Sequence, residues 1–387
     1  IAEGAVAALL LAGGQGTRLG SDAPKGCYDI GMPSHKSLFQ YHAEKVMSVK
    51  KLAAKHAGVD EKTVRLPLLV MTSPATDGAT RTFWEENARF GLASDELIFF
   101  EQDMLPCFTL DGKLVLAAPG ELATAPNGNG GVYVSLQRLG ILDRLQAEGV
   151  TSIFQFGVDN VLCHVADPTF IGFCEMQGAE CGVKTIGKRE PHEKVGVLAL
   201  TNGKPSVVEY SEISKEMAEA TDEHGSLLYG AAHICVNWFS MAFLQRFGNS
   251  LLDILPLHVA RKKIPTCTAD GGTVTPQEVN GVKLELFIFD TFPHAHKVVA
   301  LQVPREDEFA PVKNAPGAAS ESPDTARQLF SALCRRRLVA AGASVTRSDG
   351  TDDAADLVEI DAALSYAGEG LEHLAGKEFK TPVLIRP

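Results

Sequence analysis

The sequence predicts an α/β protein built on a mixed central sheet flanked by helices. Three features point there: a wholly apolar run from Ala5 to Ala12 halted by Gly13-Gly14, an alternation of strand-like and helix-like segments as far as Asn160, and two short strand-like runs meeting at Asn202-Gly203. A continuous apolar run marks a strand buried on both faces, as in a parallel sheet. Asn-Gly between strand-like runs signals a tight hairpin, and so an antiparallel addition.

In chain order, the glycine-rich turn after Ala12 leads to a helix over Ser37–Lys55, where Leu38, Tyr41 and Lys45 to Val49 recur at helical spacing and Ser34 or Ser37 is available as a cap. Leu66–Thr72 then reads as a strand, Thr80–Arg89 as a helix and Glu96–Phe100 as a strand, the rhythm of βαβ units. Ser152–Val158 is a further β-branched and aromatic run, ending in Asp159-Asn160. Gly182–Val208 breaks into short strands, and Val298–Val303 is a late one. Ala315–Asp324, rich in Pro, Ala, Gly and Ser, divides residues 1–315 from a small domain at 316–387. In that second part Thr325–Leu338 reads as a helix whose Arg335-Arg336-Arg337 triplet forms a solvated face, with short strands near Ser344 and Leu384.

Composition narrows the function. With 387 residues, 45% hydrophobic and 22% charged, the chain can bury an enzyme-sized core and is not disordered. The 36 Lys and Arg against 48 Asp and Glu leave a net charge of −12, which opposes binding to nucleic acid or to an anionic membrane. Ala5–Ala12 is far short of the roughly 20 residues that cross a bilayer. The eight cysteines include no C-x-x-C pair and no N-x-[ST] sequon occurs, so a reducing cytoplasm is expected. The start at Ile1, without Met or a basic leader, reads as a trimmed or processed end.

The strongest local signal is Leu10 to Gly20, L-L-A-G-G-Q-G-T-R-L-G, followed by Pro24-Lys25-Gly26. Glycines after a strand let the backbone turn sharply and approach a phosphate. No G-K-[ST] closes it as a Walker loop, and Leu19 stands where a dinucleotide fingerprint needs its third glycine. Arg18 and Lys25 are two cations beside this loop in an acidic chain. Gln102, at a predicted strand end, offers a donor and an acceptor from one side chain, and Asp159 ends a strand where open α/β sheets place their ligands. Taken alone, Asp159 also suits a turn, Asn127 to Gly131 a surface loop, and Phe287 and Phe289 core strand packing. No Ser/His/Asp or Cys/His arrangement stands out, and His294-x-His296 reads as two residues on one face of a strand.

The loop motif L-x-x-G-G-x-G-T-R-x-G with its following P-K resembles the signature of nucleotide-sugar pyrophosphorylases. Further blocks stand in the order of the eukaryotic-type UDP-N-acetylglucosamine (UDP-N-acetylhexosamine) pyrophosphorylases: F-F-E-Q-D-M-L-P (Phe99–Pro106), P-N-G-N-G-G-V-Y (Pro126–Tyr133), V-D-N (Val158–Asn160), A-D-P-T-F-I-G-F-C (Ala166–Cys174), V-E-Y-S-E-I (Val208–Ile213), N-G-V-K-L-E (Asn280–Glu285), R-E-D-E-F-A-P-V-K-N-A (Arg305–Ala315) and Y-A-G-E-G-L-E (Tyr366–Glu372). The resemblance spans essentially the whole chain. It implies a Rossmann-like, GT-A-like nucleotidyltransferase fold over residues 1–315 and a small β-containing C-terminal domain that the linker near Pro316 lets move. It also implies an N-terminal helical segment ahead of the glycine loop, absent from these residues.

The implied reaction is Mg2+-assisted, with Mn2+ as a substitute: UTP and N-acetylglucosamine 1-phosphate give UDP-N-acetylglucosamine and pyrophosphate. The resemblance places UTP against Leu11, Ala12, Gly13, Gly14, Lys25, Gln102, Gly128, Asp159 and Lys283. Arg18, Lys25, Asp159 and Lys283 would carry the chemistry, with Asp159 as metal ligand. Asn129, Glu209, Tyr210, His233 and Lys313 would hold the sugar phosphate. One departure concerns Ala232-His233-Ile234, where the family reads G-N-I, so an imidazole replaces the amide that meets the sugar hydroxyls. That keeps open a broad-specificity UDP-sugar or UDP-glucose pyrophosphorylase, and a catalytically silent nucleotide-sugar-binding homologue is the alternative from another class; a dinucleotide oxidoreductase is a distant third. The expected partners are small molecules only, and the expected state is a monomer or weak oligomer.

Overall fold

The computed structural model describes residues 1–250, 254–348 and 356–387. Its central sheet grows outward from β1 (Val6–Leu11). Helix α1 (Leu38–Ala57) leads to β2 (Leu68–Thr72), and helix α2 (Asp77–Glu86) leads to β3 (Leu97–Glu101); both strands run parallel to β1 on one side, with Leu9 opposite Leu69 and Leu69 opposite Ile98. The Ser37 hydroxyl caps α1 by accepting from the Gln40 amide, and Gly58 ends it at φ 68°. After helix α3 (Gly131–Arg138) the chain returns to the other edge of β1 as β4 (Ser152–Gly157), again parallel, with Leu11 opposite Gly157.

The remainder makes the sheet mixed, as expected. Strands β5 (Cys181–Gly187), β6 (Val197–Thr201), β7 (Lys204–Val208), β8 (Ala231–Ser240) and β9 (Val298–Gln302) follow in order. β8 runs antiparallel to both β4 and β5, and β9 runs parallel to β5. The β6–β7 hairpin hooks onto β8 through Val197 opposite Ala232. Asn202 and Gly203 have φ of 53° and 76°, the paired left-handed conformations that an Asn-Gly hairpin turn requires.

Side-chain alternation along β1 divides the core. Ala8 and Leu10 face the layer of α1 and α2 with Val46 and Trp84, while Ala7 and Leu9 face Leu69, Val132, Leu136 and Phe243. Two polar side chains of α1 are drawn into the interior. Lys45 donates to the carbonyls of Val161 and Cys163 at 2.6 and 2.9 Å, and burial lowers its pKa to about 8. The His42 Nε2 lies 2.9 Å from the Val158 carbonyl, and burial lowers its pKa to about 3.

Residues beyond the linker pack on the same layer. Helix α4 (Pro323–Ala340) starts from a Ser322 cap, and its Leu333 and Leu338 join one apolar cluster with Leu38 and Val46 of α1 and with Val358. Two small parallel pairs carry the expected late strands, Ser344–Thr346 with Glu378–Lys380 and Val358–Ile360 with Val383–Ile385. The Glu359 carboxylate accepts from the Ser34 and Tyr41 hydroxyls at 2.6 and 2.9 Å, and Lys36 reaches Asp361 at 2.9 Å. The Arg335–Arg337 triplet is solvated only in part: Arg336 is exposed and pairs with Asp307, Arg335 is half-buried and pairs with Asp356, while Arg337 turns inward to His164 at 3.1 Å. Nor are His294 and His296 on a strand: His294 ends a 3-10 segment, Ile288–His294, with its ring against Phe247. The eight cysteines are free, and no helix among the described residues is long and apolar enough to cross a membrane.

His42 predicts acid sensitivity with a definite sign. Its folded-state pKa lies below the ordinary 6.5, so the unfolded chain binds the extra proton first and stability falls as pH drops from about 6.5 toward 3. Denaturant titrations across that window should show the decline, and His42→Gln, whose amide nitrogen can still reach Val158, should flatten it. An unchanged slope in the variant would refute the assignment.

Candidate active site

Because β2 and β3 lie on one side of β1 and β4 on the other, the strand order reverses between β1 and β4. Such a reversal opens a crevice at the carboxyl ends of the strands. The glycine loop leaves β1 there. The Ala12 amide completes the ladder with the Met71 carbonyl, and the loop then folds back on itself through Gly16 N–H to Ala23 and Lys25 N–H to the Gly14 carbonyl at 3.1 Å. The Ser73 hydroxyl holds the Gly13 carbonyl at 2.9 Å. Leu19, at the place of a third glycine, is buried and anchors the loop in the core. Gly26 lies flat against the Phe39 ring, where a Cβ would come within 2.4 Å of three ring carbons, which fixes the Pro24-Lys25 arm. The side chains of Arg18 and Lys25 make no hydrogen bond or ion pair with the described residues, so both are available to an anion.

Gln102 follows β3, and its amide N–H bonds to the Thr72 carbonyl. Its side chain is buried directly over Gly13: a Cβ there would stand 2.5 Å from the Gln102 Nε2. The Gln102 amide group bonds no described residue, leaving a donor and an acceptor for a base edge. The Asn127–Gly131 segment is a clamped loop, not a loose one. Leu286 N–H donates to the Asn127 carbonyl, Gly130 N–H to the Leu286 carbonyl, and Ile288 N–H to the Asn129 Oδ1 at 2.9 Å. Gly128 sits at φ 86°, and a Cβ would be 2.4 Å from the Leu286 oxygen. The Asn129 NH2 group is left free for a substrate.

On the other side of the crevice, Val158 N–H bonds to the Leu11 carbonyl, which sets Asp159 beside Gly13. The Asp159 carboxylate has no hydrogen bond or ion pair among the described residues. Its backbone carbonyl accepts from Val312 N–H at 2.9 Å, bringing Lys313 alongside. Burial opposes the charge on Lys313, but Asp159 and Glu321, the latter 3.2 Å away, outweigh it and raise its pKa. Cys235, on β8, holds φ 56° next to a register shift opposite Val183 and Thr185. Its thiol lies within the field of Asp159 and Lys313, and burial pushes it up to about 11.

Glu209 is half-buried, and burial together with Glu212 raises its carboxyl against the pull of Lys313 and His258. Tyr210, next to it, is exposed. His233 is turned to the protein: its Nε2 is 3.0 Å from the Asn237 Oδ1, its ring meets Phe289 and Phe292 edge-on, and burial lowers its pKa to about 4, so it is neutral near pH 7. Phe287 and Phe289 do not lie in a strand. Phe287 stacks on the His258 ring at 4.1 Å, and His258 in turn bonds Asp290 at 3.0 Å. Lys283 stands on a separate three-stranded sheet, opposite Ala260, and no hydrogen bond or ion pair joins it to the glycine loop among the described residues.

Sequence reasoning passed over Ser73, Asn160, His258 and Asp290. Only Asn160 carried a signal, as the last letter of V-D-N. The chemistry of Asp159, a single unpaired hard-oxygen donor beside a phosphate loop, fits Mg2+, which commonly binds one or two carboxylates plus substrate phosphates. A second group of ligand types, His164, Asp167 and Glu308, does not fit a metal, because the Lys184 ammonium already sits between the two carboxylates at 2.6 and 2.5 Å.

A glycine loop with two unpaired cations, a buried side-chain amide and a carboxylate near a lysine, gathered at the switch point of a mixed α/β sheet, match the arrangement of a nucleotide-binding transferase. The family described as UTP–glucose-1-phosphate uridylyltransferase matches residues 3–325, and the chain belongs to it. It is 43% identical to human UDP-N-acetylhexosamine pyrophosphorylase-like protein 1 over 98% of this chain and 77% of that protein. It is also 43% identical to the UDP-N-acetylglucosamine pyrophosphorylase of Saccharomyces cerevisiae, covering 98% of this chain and 78% of the relative. The crystal structure of the Trypanosoma brucei UDP-N-acetylglucosamine pyrophosphorylase superposes with a TM-score of 0.86 at 34% identity, covering 100% of this chain and 80% of that one.

The packing of Gln102 over Gly13 makes a direct prediction. Gly13→Ala should displace the Gln102 amide and weaken nucleotide binding by about tenfold, within the ~1–3 kcal/mol cost of overpacking a tight site. Calorimetric titration with UTP would read it, and unaltered affinity would show that Gln102 does not meet the base.

Proposed function

We infer that this chain is a uridylyltransferase that makes UDP-N-acetylglucosamine and pyrophosphate from UTP and N-acetylglucosamine 1-phosphate. The observation that carries the reading is the convergence, across one crevice, of the Gly13 loop with its unpaired cations and the Asp159–Lys313 pair. The two relatives and the solved structure, each named for an N-acetylhexosamine or N-acetylglucosamine nucleotide, support the choice of sugar.

The chemistry needs positioned charge more than a base. A sugar 1-phosphate is mostly dianionic near pH 7, since a phosphate monoester's second pKa is about 6. One of its oxygens attacks the α-phosphorus of UTP, the bond to the β-phosphate oxygen breaks in line, and pyrophosphate leaves with that electron pair. Gln102 would read the uracil, and the Gly128 backbone would flank the base. Arg18, Lys25 and Lys283 would take the charge of the departing diphosphate. Lys313 would draw in the sugar phosphate, with Glu209, Tyr210 and the free NH2 of Asn129 on the sugar. Asp159 would hold Mg2+, or Mn2+ in its place, which when bound neutralises phosphate charge at the reacting centre. His233 is bonded within the protein, so in this reading it shapes the sugar wall through Phe289 rather than by contact. The free cysteines suit a reducing cytoplasm.

Pyrophosphate release with N-acetylglucosamine, N-acetylgalactosamine and glucose 1-phosphates tests the reading. Turnover should favour the N-acetylhexosamines and fall by about a hundredfold or more in Asp159→Ala. Equal turnover on glucose 1-phosphate would instead mark a broad-specificity enzyme. UDP-sugar binding without turnover would mark a silent binder.

A further inference from the structure

Three sequence blocks contribute residues that the reaction does not use: Asn160 of V-D-N, Asp167 of A-D-P-T-F-I-G-F-C, and Glu308 of R-E-D-E-F-A-P-V-K-N-A. All three converge on one stretch of backbone, residues 305–313. Asn160 is buried, and its amide is used at both ends: Nδ2 donates to the Glu308 carbonyl at 2.7 Å, and Oδ1 accepts from Ala310 N–H at 2.9 Å. Two residues on, the Val312 N–H closes on the Asp159 carbonyl. At the near end Arg305 pairs with Glu193 at 2.7 Å, and the Glu308 carboxylate is tied through the buried Lys184 ammonium to Asp167. Lys313, the only residue of this stretch assigned to substrate, comes immediately after the last of these attachments.

We propose that Asn160 is a positioning residue that welds the strap 305–313 to the end of β4, so that Lys313 stands at a set distance from Asp159. The proposal rests on reading Lys313 as the cation for the sugar phosphate. The physical argument is one of degeneracy. Lys313 has a long flexible side chain, and its reach is useful only if its backbone is held. The short helix Arg305–Glu308 is held at the near end, where Arg336 bonds Glu306 and Asp307, and Phe309, Ala310 and Val312 are buried; from that helix to Lys313 the polar ties are to the Asn160 amide and the Asp159 carbonyl, with Pro311 opposite Asn160. A side-chain amide supplies the required donor and acceptor on two separate atoms: a carboxylate at position 160 would lack the donor to Glu308, and an aliphatic residue would leave two buried backbone groups unpaired.

Asn160→Ala should raise the KM for N-acetylglucosamine 1-phosphate by about tenfold, the scale expected when buried partners lose a hydrogen bond, while UTP affinity measured by calorimetry changes less than about twofold. Hydrogen exchange at the Ala310 and Val312 amides should accelerate, and Asn160→Asp, which keeps the acceptor for Ala310, should lie between the two. In a Lys313→Ala background Asn160→Ala should add nothing further, because it acts through that lysine. Equal losses for both substrates, additive losses in the double variant, or unchanged exchange at Ala310 would each overturn the proposal. If the unmodified protein turns over no hexosamine 1-phosphate, the functional reading fails by itself, and amide exchange in Asn160→Asp still decides whether the strap is held as described.

Discussion

The pairing of β1 with β4 is the constraint on which the rest depends. Gly13 and Asp159 lie far apart in sequence, and the Leu11–Gly157 register, extended by the Val158 amide on the Leu11 carbonyl, puts them side by side. A parallel ladder makes the alignment stiff, since slipping by one residue would turn every buried side chain of β1 to the wrong face. The glycine loop and the Asp159 carboxylate are therefore held by buried strands of the central sheet.

Around that pair the site is assembled from segments that are irregular in themselves and fixed by a few polar contacts. The glycine loop closes on Lys25 and is tied down by Ser73 and Leu19. The Asn127–Gly131 loop is stitched to Leu286–Ile288, and the strap before Lys313 is stitched to Asn160. In each case backbone amides and carbonyls that would otherwise be buried without partners are satisfied, so rigidity and polar satisfaction come from the same bonds.

A second polar layer lies behind the crevice. Lys45, Lys184, His164, Glu308 and Arg337 are enclosed between α1, the central sheet and the segment after residue 316. Burial pushes the His164 pKa down, and the charged groups are paired or hydrogen-bonded, which is what their removal from water demands. The arrangement joins the C-terminal helix, through Arg337 and His164, to the residues around Glu308 that precede Lys313. The linker at Ala315–Asp324 thus spans two regions that also share an apolar cluster and buried polar bonds.

Much was legible in the sequence because it depends on local chemistry. The apolar run of β1, the Ser37 cap, the Asn202-Gly203 hairpin and the glycine loop each follow from the preferences of a few neighbouring residues. What tertiary structure alone decided depends on neighbours distant in the chain. Phe287 and Phe289 alternate like a strand, yet Asp290 accepts the Phe287 amide and turns the segment into a 3-10 helix. Arg337 reads as surface until α4 is laid against His164, and only the packing shows that His233 spends its Nε2 on Asn237 with its ring edge-on to two phenylalanines. Local pattern determined which elements form and where the glycine loop leaves β1; the register of β1 with β4 and the packing on β8 decided which side chains face the crevice, because facing is a property of pairs that no short stretch of sequence contains.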